Sequence, residues 1–423
     1  ITAAAKEQCE VIILSEKVSQ TESYLLFNNQ GGPGFDNLDN VTILDVEFNS
    51  IWMRDYAANT VYGSGVDDLI LVDWIYNRPR PDDDVSPAAI ADYLGIDLYC
   101  TTAAPTDLVN TGGNFMSDGF GSGFASELIL EENEPGNDYE VTAKDEEEID
   151  LIMNEWMGLD RYIKMTSLPN DLIHHIDMHM KLLDEERLIV SEYPEGVSDG
   201  PQIQANMEYV LSNYNSLFGT AYKINWIPAP PDNGQYPILG QNFASYKTYT
   251  NATFVNKTIL LPTYEEPYDS EAIAMWEELM PGYNVVGIDC DDPGRDIIAL
   301  SGAIHCITHT VGVEDPLLIS HQALPDTDDQ DNNYIVDALI RHRSGISGAT
   351  LYWKTDLNAD YQSVAMSFDS DDHWLGEIPA QTMGTTVYYY VQGNANSGKT
   401  QVRPIVAPEG YWEFDVDGII SVE

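Results

Sequence analysis

Basic residues are scarce in this chain. Its 423 residues include 19 lysines and arginines against 70 aspartates and glutamates, so the formal net charge is -51. A surface this negative repels nucleic acid and anionic membranes, which argues against both as partners. Two interpretations of the charge stay open: it keeps the protein soluble, as in a saline habitat, or it concentrates cationic molecules around it.

Cysteines and long apolar runs are also few. The four cysteines, Cys9, Cys100, Cys290 and Cys306, are too few for a disulfide framework, and no clustered His/Cys run predicts a zinc site. If Cys306 stays free, at most one disulfide forms, and the spacing does not choose the pair. No apolar run approaches the roughly 20 residues that span a membrane. The chain begins at Ile1 and not at a methionine, so we expect that a leader has been removed.

Short strands alternate with single amphipathic helices up to residue 322, which predicts an α/β assembly of similar units. The predicted strands are 10–14, 41–46, 69–74, 176–183, 187–192 and 258–261. The predicted helices begin at Ser86-Pro87, with Ser86 as the cap, and cover 145–157, 202–218 and 270–280. The polar residues 184–186 predict a hairpin turn.

The composition changes near residue 325. Residues 325–333 are polar and acidic, which is typical of a linker, and Asp326, Asp328 and Asp331 could bind calcium, although an EF-hand's glycine and last glutamate are missing. Short alternating runs then predict an immunoglobulin-like β-sandwich. These runs are 349–353, 363–368, 374–378, 386–392 and 412–416. We therefore expect a catalytic domain at 1–322, a linker at 323–333 and a sandwich at 334–423.

Residues 302–309, GAIHCITH, place Cys306 in a polar run that we interpret as a strand. By itself this pattern is more typical of a buried, inert thiol than of a nucleophile. A nucleophilic thiol needs a base, and His175 in the segment 175–181, HIDMHMK, is a candidate. The adjacent His174 is the alternative, but alternation along a strand would place His175 on one face with Asp177.

Two aspartates, Asp55 in the segment 52–56, WMRDY, and Asp177, require a different explanation. A protease-like Cys/His pair must stabilise an oxyanion, so carboxylates facing the substrate do not serve it. A guanidinium is planar and presents its donors in a fork, so two carboxylates can grip it from two sides and hold its carbon over sulfur. An ion pair between Arg54 and Asp55 is the competing interpretation, weakened because neighbours on a strand point to opposite faces.

At these residues the sequence resembles the guanidine-modifying penteins, and among them the bacterial peptidylarginine deiminases and their agmatine deiminase relatives. The secreted two-domain peptidylarginine deiminases are the most similar. The resemblance implies a five-fold pseudo-symmetric propeller of ββαβ modules. It is carried by segments in family order, namely 52–56, 110–114, 175–179, 249–251 and 302–308.

The resemblance implies that Cys306 attacks the guanidino carbon to form a thiouronium intermediate, which water converts to citrulline. It implies that His175, titrating near neutrality, protonates the leaving ammonia and activates the water. Asp55 and Asp177 would bind the guanidinium, and Asn251 would lie beside the thiol. No cofactor is required in this scheme, and a structural calcium or sodium ion is compatible with it.

Further residues are candidates for substrate binding. Gly113 and Asn114 in the segment 110–114 would let the substrate approach closely, although a glycine turn is the commoner explanation. Trp52 would wall the arginine stem or fill core. Arg78 and Arg80, held apart by a proline, form a rigid pair suited to a carboxylate, and an ion pair with residues 82–84 is the alternative. The resemblance favours the carboxylate of a peptide that ends in arginine.

Several functions remain to be separated. A protein-arginine deiminase, secreted or at the cell surface, is expected, with arginine-containing peptides or proteins as partners. Agmatine deiminase shares the Cys, His and Asp motifs, but agmatine has no carboxylate for Arg78 and Arg80. A free-arginine deiminase would still use that pair. A catalytically inert pentein that binds guanidines is disfavoured because Cys306 and its partners are all present.

Overall fold

The computed structural model describes residues 1–28, 31–63, 65–241, 244–294 and 296–417. The chain divides into two compact units. The first comprises Ile1–Val61, Ile70–Trp276 and Asn284–Val311, and the second comprises Tyr62–Leu69, Glu277–Tyr283 and Gly312–Glu423. Within the part of the chain that the structure describes, no helix has the length and apolar character needed to cross a bilayer.

Eight short α-helices occur among the described residues, and the strands β1 to β15 form small sheets. The helices are α1 Thr2–Ala5, α2 Val18–Leu26, α3 Met53–Tyr56, α4 Ser86–Leu94, α5 Leu128–Glu131, α6 Glu146–Met157, α7 Gly200–Asn213 and α8 Tyr268–Leu279. The strands are β1 Val11–Leu14, β2 Val41–Leu44, β3 Asn59–Gly63, β4 Asp68–Tyr76, β5 Asp97–Thr101, β6 Val109–Asn110, β7 Met116–Ser117, β8 Ser122–Ser126, β9 Arg161–Met165, β10 Met180–Leu182, β11 Arg187–Glu192, β12 Lys223–Pro228, β13 Thr253–Val255, β14 Thr258–Thr263 and β15 Asn284–Asp289.

One arrangement recurs in these sheets. The strands β7 and β8 are antiparallel, and β8 pairs in parallel with β9 after a crossover through α6. The same order joins β10, β11 and β12 through α7, and β13, β14 and β15 through α8. A parallel pair needs such a crossover, and its helix covers the sheet. Under α6 the covered core contains Trp74, Ile129, Ile149 and Met153.

Most of the predicted elements of the first unit are confirmed, short strands included. The helix α6 begins after Asp145, whose side chain forms a capping box with Glu148, and the hairpin β10–β11 turns at 184–186 as expected. The predicted strand 176–183 is wrong in its first half, because Ile176–Met178 is a 3-10 helix. The predicted helix 202–218 begins earlier and ends at Asn213. Val85, and not Ser86, is the N-cap of α4.

The second unit is built from strands in the segment 312–417. They are β16 Leu318–Ser320, β17 Tyr334–Arg341, β18 Ile346–Lys354, β19 Gln362–Phe368, β20 His373–Ile378, β21 Thr385–Ala395, β22 Thr400–Arg403 and β23 Trp412–Val416. The order of pairing is β16-β17-β20-β19-β18-β21-β22, and β23 also pairs with β21. Buried and exposed residues alternate along β17, so its inward side chains, such as Val336 and Ile340, join one apolar core.

The predicted runs after residue 345 all coincide with strands of this unit. The linker and sandwich boundaries stay predictions, and residues 418–423 of the expected sandwich lie outside the described residues. Asp326 accepts a hydrogen bond from the Asp415 backbone. Among the described residues, no group of three or more His, Cys, Asp and Glu side chains could hold a metal ion, and this includes the predicted calcium ligands Asp326, Asp328 and Asp331.

Candidate active site

The predicted site residues lie in the connections that lead from one small sheet to the next. Asp55 lies between β2 and β3, Gly113 between β6 and β7, and His175 between β9 and β10. Asn251 precedes β13, and Cys306 follows β15. Residues far apart in sequence therefore meet because equivalent connections of the sheets converge.

Cys306 is buried and lies in a turn at 304–307, so the expectation of a strand at this cysteine is wrong. The Asn251 amide nitrogen donates to Cys306 Sγ at 3.3 Å and to the Asp177 carbonyl at 3.3 Å. The Asn251 Oδ1 accepts from the backbone N–H groups of His305 at 2.9 Å and Cys306 at 3.4 Å. One amide thus fixes the thiol and joins it to the Asp177 segment. All four cysteines are free thiols, so the single disulfide that the sequence allowed is not formed.

Asp177 is the carboxylate nearest to the thiol. It is 1% exposed, and its Oδ2 lies 3.9 Å from Cys306 Sγ and 2.7 Å from the Nδ1 of His305. Its Oδ1 is buried and makes no hydrogen bond among the described residues. Burial, together with the charge of Asp55, raises the pKa of Asp177. A cation at Oδ1 would reverse that shift.

Asp55 and His175 form the opposite side of the cluster. Asp55 belongs to the helix α3, so the prediction that Arg54 and Asp55 alternate along a strand is wrong. The two described residues nevertheless form no ion pair with each other. Asp55 Oδ1 lies 3.6 Å from His175 Nδ1. A Cβ at Gly113 would lie 2.3 Å from His175 Nδ1 and 2.9 Å from Asp55 Oδ1. Only glycine therefore lets the 112–114 segment pack against both side chains.

The electrostatics of this site oppose charge on its reactive groups. Burial raises the pKa of Asp55 to about 7, although the Arg78 charge favours its ionised form. Burial and then the Arg78 charge lower the pKa of His175 to about 3. The expectation that His175 titrates near neutrality is therefore wrong for this structure, because the imidazole is neutral at pH 7. Burial and the charges of Asp177 and Asp55 raise the pKa of the Cys306 thiol.

Two basic residues that the sequence analysis did not assign to the site, Arg54 and Lys181, interact electrostatically with the thiol. Burial lowers the pKa of Arg54 to about 10, and the charges of Asp177 and Cys306 act against that shift. Burial lowers the pKa of Lys181, and the same two groups oppose it. The Arg54 N–H donates to the Cys306 carbonyl at 3.0 Å. The signal was present in the segments WMRDY and HIDMHMK, but nothing in a sequence shows that both segments face one thiol.

Asn114 and Trp52 have packing roles in the structure. The Asn114 Oδ1 accepts from the Ser126 backbone at 2.8 Å, and the Ser126 hydroxyl donates to the His174 carbonyl at 2.7 Å. Asn114 thereby supports the segment that carries His175. Trp52 packs against Gly302, where a Cβ would lie 2.3 Å from the indole ring. The indole ring therefore packs against the backbone at Gly302, shortly before Cys306 in the sequence.

Arg78 and Arg80 follow the strand β4. The charge of Arg78 favours the ionised form of Asp55 and the neutral form of His175, and its guanidinium donates to the Asn77 carbonyl at 2.9 Å. Arg80 donates to the Tyr76 hydroxyl at 2.9 Å and to the Ser50 hydroxyl at 3.3 Å. Among the described residues neither arginine forms an ion pair, which contradicts the alternative of a bridge to residues 82–84. Asp83 instead accepts from the backbone and hydroxyl of Ser50.

Comparison with known proteins agrees with this geometry. The sequence profile of the Porphyromonas-type peptidyl-arginine deiminase family matches residues 1–311. The chain belongs to this family. Within it, the segments that carry Asp55, His175, Asp177, Asn251 and Cys306 all fall in the matched part, whereas most of the second unit lies beyond it.

The relatives of this deiminase family member include agmatine deiminases. The agmatine deiminase of Ectopseudomonas mendocina is 26% identical over 296 residues, which cover 64% of this chain and 76% of the relative. The solved structure of the C. jejuni agmatine deiminase superposes with a TM-score of 0.55 at 20% identity, covering 72% of this chain and 82% of that one. The solved structure of the agmatine deiminase of Enterococcus faecalis superposes with a TM-score of 0.58 at 16% identity, covering 72% of this chain and 84% of that one. The chain thus shares the α/β fold of these structures.

Proposed function

We propose that this protein hydrolyses the guanidinium group of arginine in peptides or proteins, with a preference for C-terminal arginine, to citrulline and ammonia. The observation that carries the proposal is a pair of buried carboxylates, Asp55 and Asp177, in a cluster that contains the Cys306 thiol. Each has an Oδ1 that accepts no hydrogen bond among the described residues. An unpaired buried carboxylate is costly, and a bound guanidinium would satisfy both.

The reaction follows from these residues in two steps. Cys306 Sγ attacks the guanidino carbon and passes its proton to neutral His175, which protonates the departing nitrogen as the C–N bond breaks and ammonia leaves. The thiouronium that remains is attacked by water, whose proton His175 accepts, and the C–S bond breaks to release citrulline and the thiol. Asp55 and Asp177 hold the cation over sulfur during both steps.

The cationic substrate also ionises the thiol. Without a cation, burial and the charges of Asp177 and Asp55 keep Cys306 protonated. A guanidinium between these carboxylates offsets their negative charge and adds a positive one beside sulfur, both of which favour the thiolate. The nucleophile is therefore formed only where a guanidinium is bound.

Arg78 and Arg80 support peptide arginine as the substrate. Arg78 acts on the groups of the site, and neither arginine is engaged by a carboxylate among the described residues, so both guanidinium groups can receive one from a ligand. A peptide that ends in arginine supplies that carboxylate. Free arginine supplies it too, whereas agmatine does not.

The experiment that tests this preference is citrulline formation from one peptide ending in arginine, as the free acid and as the C-terminal amide. Losing a charged hydrogen-bond pair costs about 1.5–3 kcal/mol, so kcat/KM for the amide should fall about ten- to a hundredfold. Arg78→Ala and Arg80→Ala should each lower kcat/KM strongly for the free acid and change kcat/KM little for the amide. Equal rates for acid and amide in the wild type would contradict the carboxylate role.

Agmatine is the second candidate substrate, favoured by the names of relatives such as that of Ectopseudomonas mendocina. The same assay separates the candidates when agmatine is added to the panel. Agmatine turned over faster than every arginine compound would assign the protein to that activity. If the protein released ammonia from none of these guanidines, we would conclude that it is a catalytically inert binding protein.

We also propose finer features that the resemblance implies. The recurring sheets of the first unit would close as a five-fold propeller of ββαβ modules, and the strands of the second unit would form an immunoglobulin-like sandwich. The enzyme would act outside the cell or at its surface, without a catalytic cofactor, and a calcium or sodium ion would be structural. Immunodetection in medium and cell fractions tests the location.

A further inference from the structure

His305 precedes the proposed nucleophile directly and contacts one of the two proposed carboxylates. Its Nδ1 lies 2.7 Å from Asp177 Oδ2, and both residues are buried, at 7% and 1% exposure. The other carboxylate oxygen, Oδ1, makes no hydrogen bond among the described residues. Asp177 therefore has one oxygen held by the protein and one available to a ligand.

The backbone of His305 is held by contacts on both sides of its peptide unit. Its backbone N–H donates to Asn251 Oδ1 at 2.9 Å, and its carbonyl accepts from the Arg54 guanidinium at 3.4 Å. Asn251 in turn donates to Cys306 Sγ at 3.3 Å. The backbone that carries the His305 ring is thus tied to the residue that holds the thiol.

The direction of the hydrogen bond follows from the charge states. Burial and the charges of Arg54 and Lys181 lower the pKa of His305, so the ring is neutral. A neutral imidazole has one N–H, and an ionised carboxylate only accepts. The N–H must therefore be on Nδ1 whenever Asp177 is ionised. A neutral donor fixes the carboxylate without neutralising the charge that grips a cation.

We propose that His305 is the positioning residue of Asp177: its Nδ1–H holds Oδ2 so that Oδ1 is presented to the substrate guanidinium above Cys306. The identity of that cation rests on the proposed function. The orientation of a buried carboxylate toward a cation does not, and it can be measured without turnover.

The test is the rate at which Cys306 is alkylated by 2-chloroacetamidine, a cation, relative to 2-chloroacetamide, its neutral counterpart. In both reactions the Sγ–C bond forms, the C–Cl bond breaks, chloride leaves and the thiol proton passes to buffer. The amide reports the reactivity of the thiol without a cation, so the ratio of the two rates measures recognition of the cation together with the ionisation of the thiol that a bound cation favours. Mass spectrometry of the Cys306 peptide counts the adduct.

Three variants give the comparison. His305→Phe keeps a planar ring and removes the donor, and we expect the ratio to fall about tenfold or more. His305→Asn places an amide N–H near the position of Nδ1, and we expect the ratio to stay within about threefold of the wild type. His373→Phe is the matched control, since it removes a His–Asp pair of 2.8 Å in the second unit, where we expect no change.

An unchanged ratio in His305→Phe would overturn the proposal, as would a loss in His305→Asn equal to that in His305→Phe. If circular dichroism shows that His305→Phe is unfolded, His305→Gln replaces it, because its amide lies one methylene farther out and should lose the ratio that His305→Asn keeps. Failure of the proposed function has a different signature. In that case the wild type would not release ammonia from any guanidine tested. The ratio of its alkylation rates with 2-chloroacetamidine and 2-chloroacetamide would still depend on His305.

Discussion

Cys306 and His175 are both neutral in this site, although one must lose a proton and the other must gain it. Burial and the charges of Asp177 and Asp55 raise the pKa of the thiol, and burial lowers the pKa of His175 to about 3. A thiol and an imidazole in these states react poorly with uncharged electrophiles. Selectivity for guanidinium compounds is therefore built into the charge balance as well as the shape of the site.

The carboxylates are predicted to act through their charge. Asp55→Asn and Asp177→Asn keep the shape of each side chain and remove a partner of the cation, a contact worth about 1.5–3 kcal/mol. We expect kcat/KM for an arginine peptide to fall at least about tenfold in each variant. Glu413→Gln on the strand β23 of the second unit is the control. Normal kcat/KM in either aspartate variant would place that carboxylate outside the site.

The pH dependence of kcat/KM should follow both carboxylates. Burial raises the pKa of Asp55 to about 7, and burial with the charge of Asp55 raises the pKa of Asp177 to about 8. A protonated carboxyl is uncharged and binds a guanidinium weakly, so we expect kcat/KM to rise with pH through about 7 to 8 and kcat to titrate at lower pH, because a bound cation favours the carboxylates. In Asp55→Asn the rise should be reduced to the single step of Asp177. An unchanged profile in that variant would contradict the role of Asp55.

At the scale of secondary structure elements, the sequence predicted most strands and helices well and the connections that carry the candidate site poorly. The helix α6 was predicted from an acidic cap and apolar residues at helical spacing, and the structure contains both the cap and the buried apolar face. The segments at Asp55, His175 and Cys306 were interpreted as strands and are a helical turn, the entry to a 3-10 helix and a turn. Such short elements are set by tertiary contacts, which local patterns do not encode.

The same limit explains which site residues were missed. Cys306, His175 and the aspartates were found because their chemistry requires one another. The partnership of His305 with Asp177 joins residues 128 positions apart, and no spacing rule predicts it. The substrate contact predicted for Gly113 and Asn114 stays a prediction, and the hydrogen bond that the Asn114 amide oxygen accepts from the Ser126 backbone is visible only in the packed structure.

Gly113 tests how closely the 112–114 segment must approach the site. In Gly113→Ala the added Cβ would lie 2.3 Å from His175 Nδ1, so the imidazole must move. Because a displacement of about 1 Å can cost about a hundredfold in rate, we expect kcat to fall by that order while the circular dichroism spectrum is kept. Gly348→Ala is the matched control, since no atom lies within 4 Å of its Cβ. Full activity of Gly113→Ala would contradict the placement of His175.

At the scale of the whole molecule, the α/β fold of the first unit was predicted and is shared with the solved deiminase structures. The predicted β-strands of the C-terminal segment are also found. The predicted domain boundaries stay predictions. The second compact unit includes Tyr62–Leu69 and Glu277–Tyr283 as well as the segment after Gly312, so compact units defined by contacts need not be contiguous in sequence.

The net charge of -51 gives a prediction of its own. If the charge concentrates cationic substrates, kcat/KM for a peptide with several positive charges should fall several-fold between about 0.02 M and about 0.5 M salt, as the screening length shrinks below about 10 Å. For free arginine, whose net charge is small, kcat/KM should fall much less over the same range of salt. Equal salt dependence for both would leave solubility as the role of the acidic surface.

The central claim is that Cys306 forms a covalent bond to the guanidino carbon. Acid quenching during turnover of an arginine peptide, followed by proteolysis and mass spectrometry, tests it most directly. We predict an adduct on the Cys306 peptide with the mass of the substrate less one ammonia, and neither adduct nor citrulline in Cys306→Ser, whose hydroxyl is a far weaker nucleophile. Citrulline formation by Cys306→Ser at the wild-type rate, or an adduct on Cys9, Cys100 or Cys290 instead, would contradict the account.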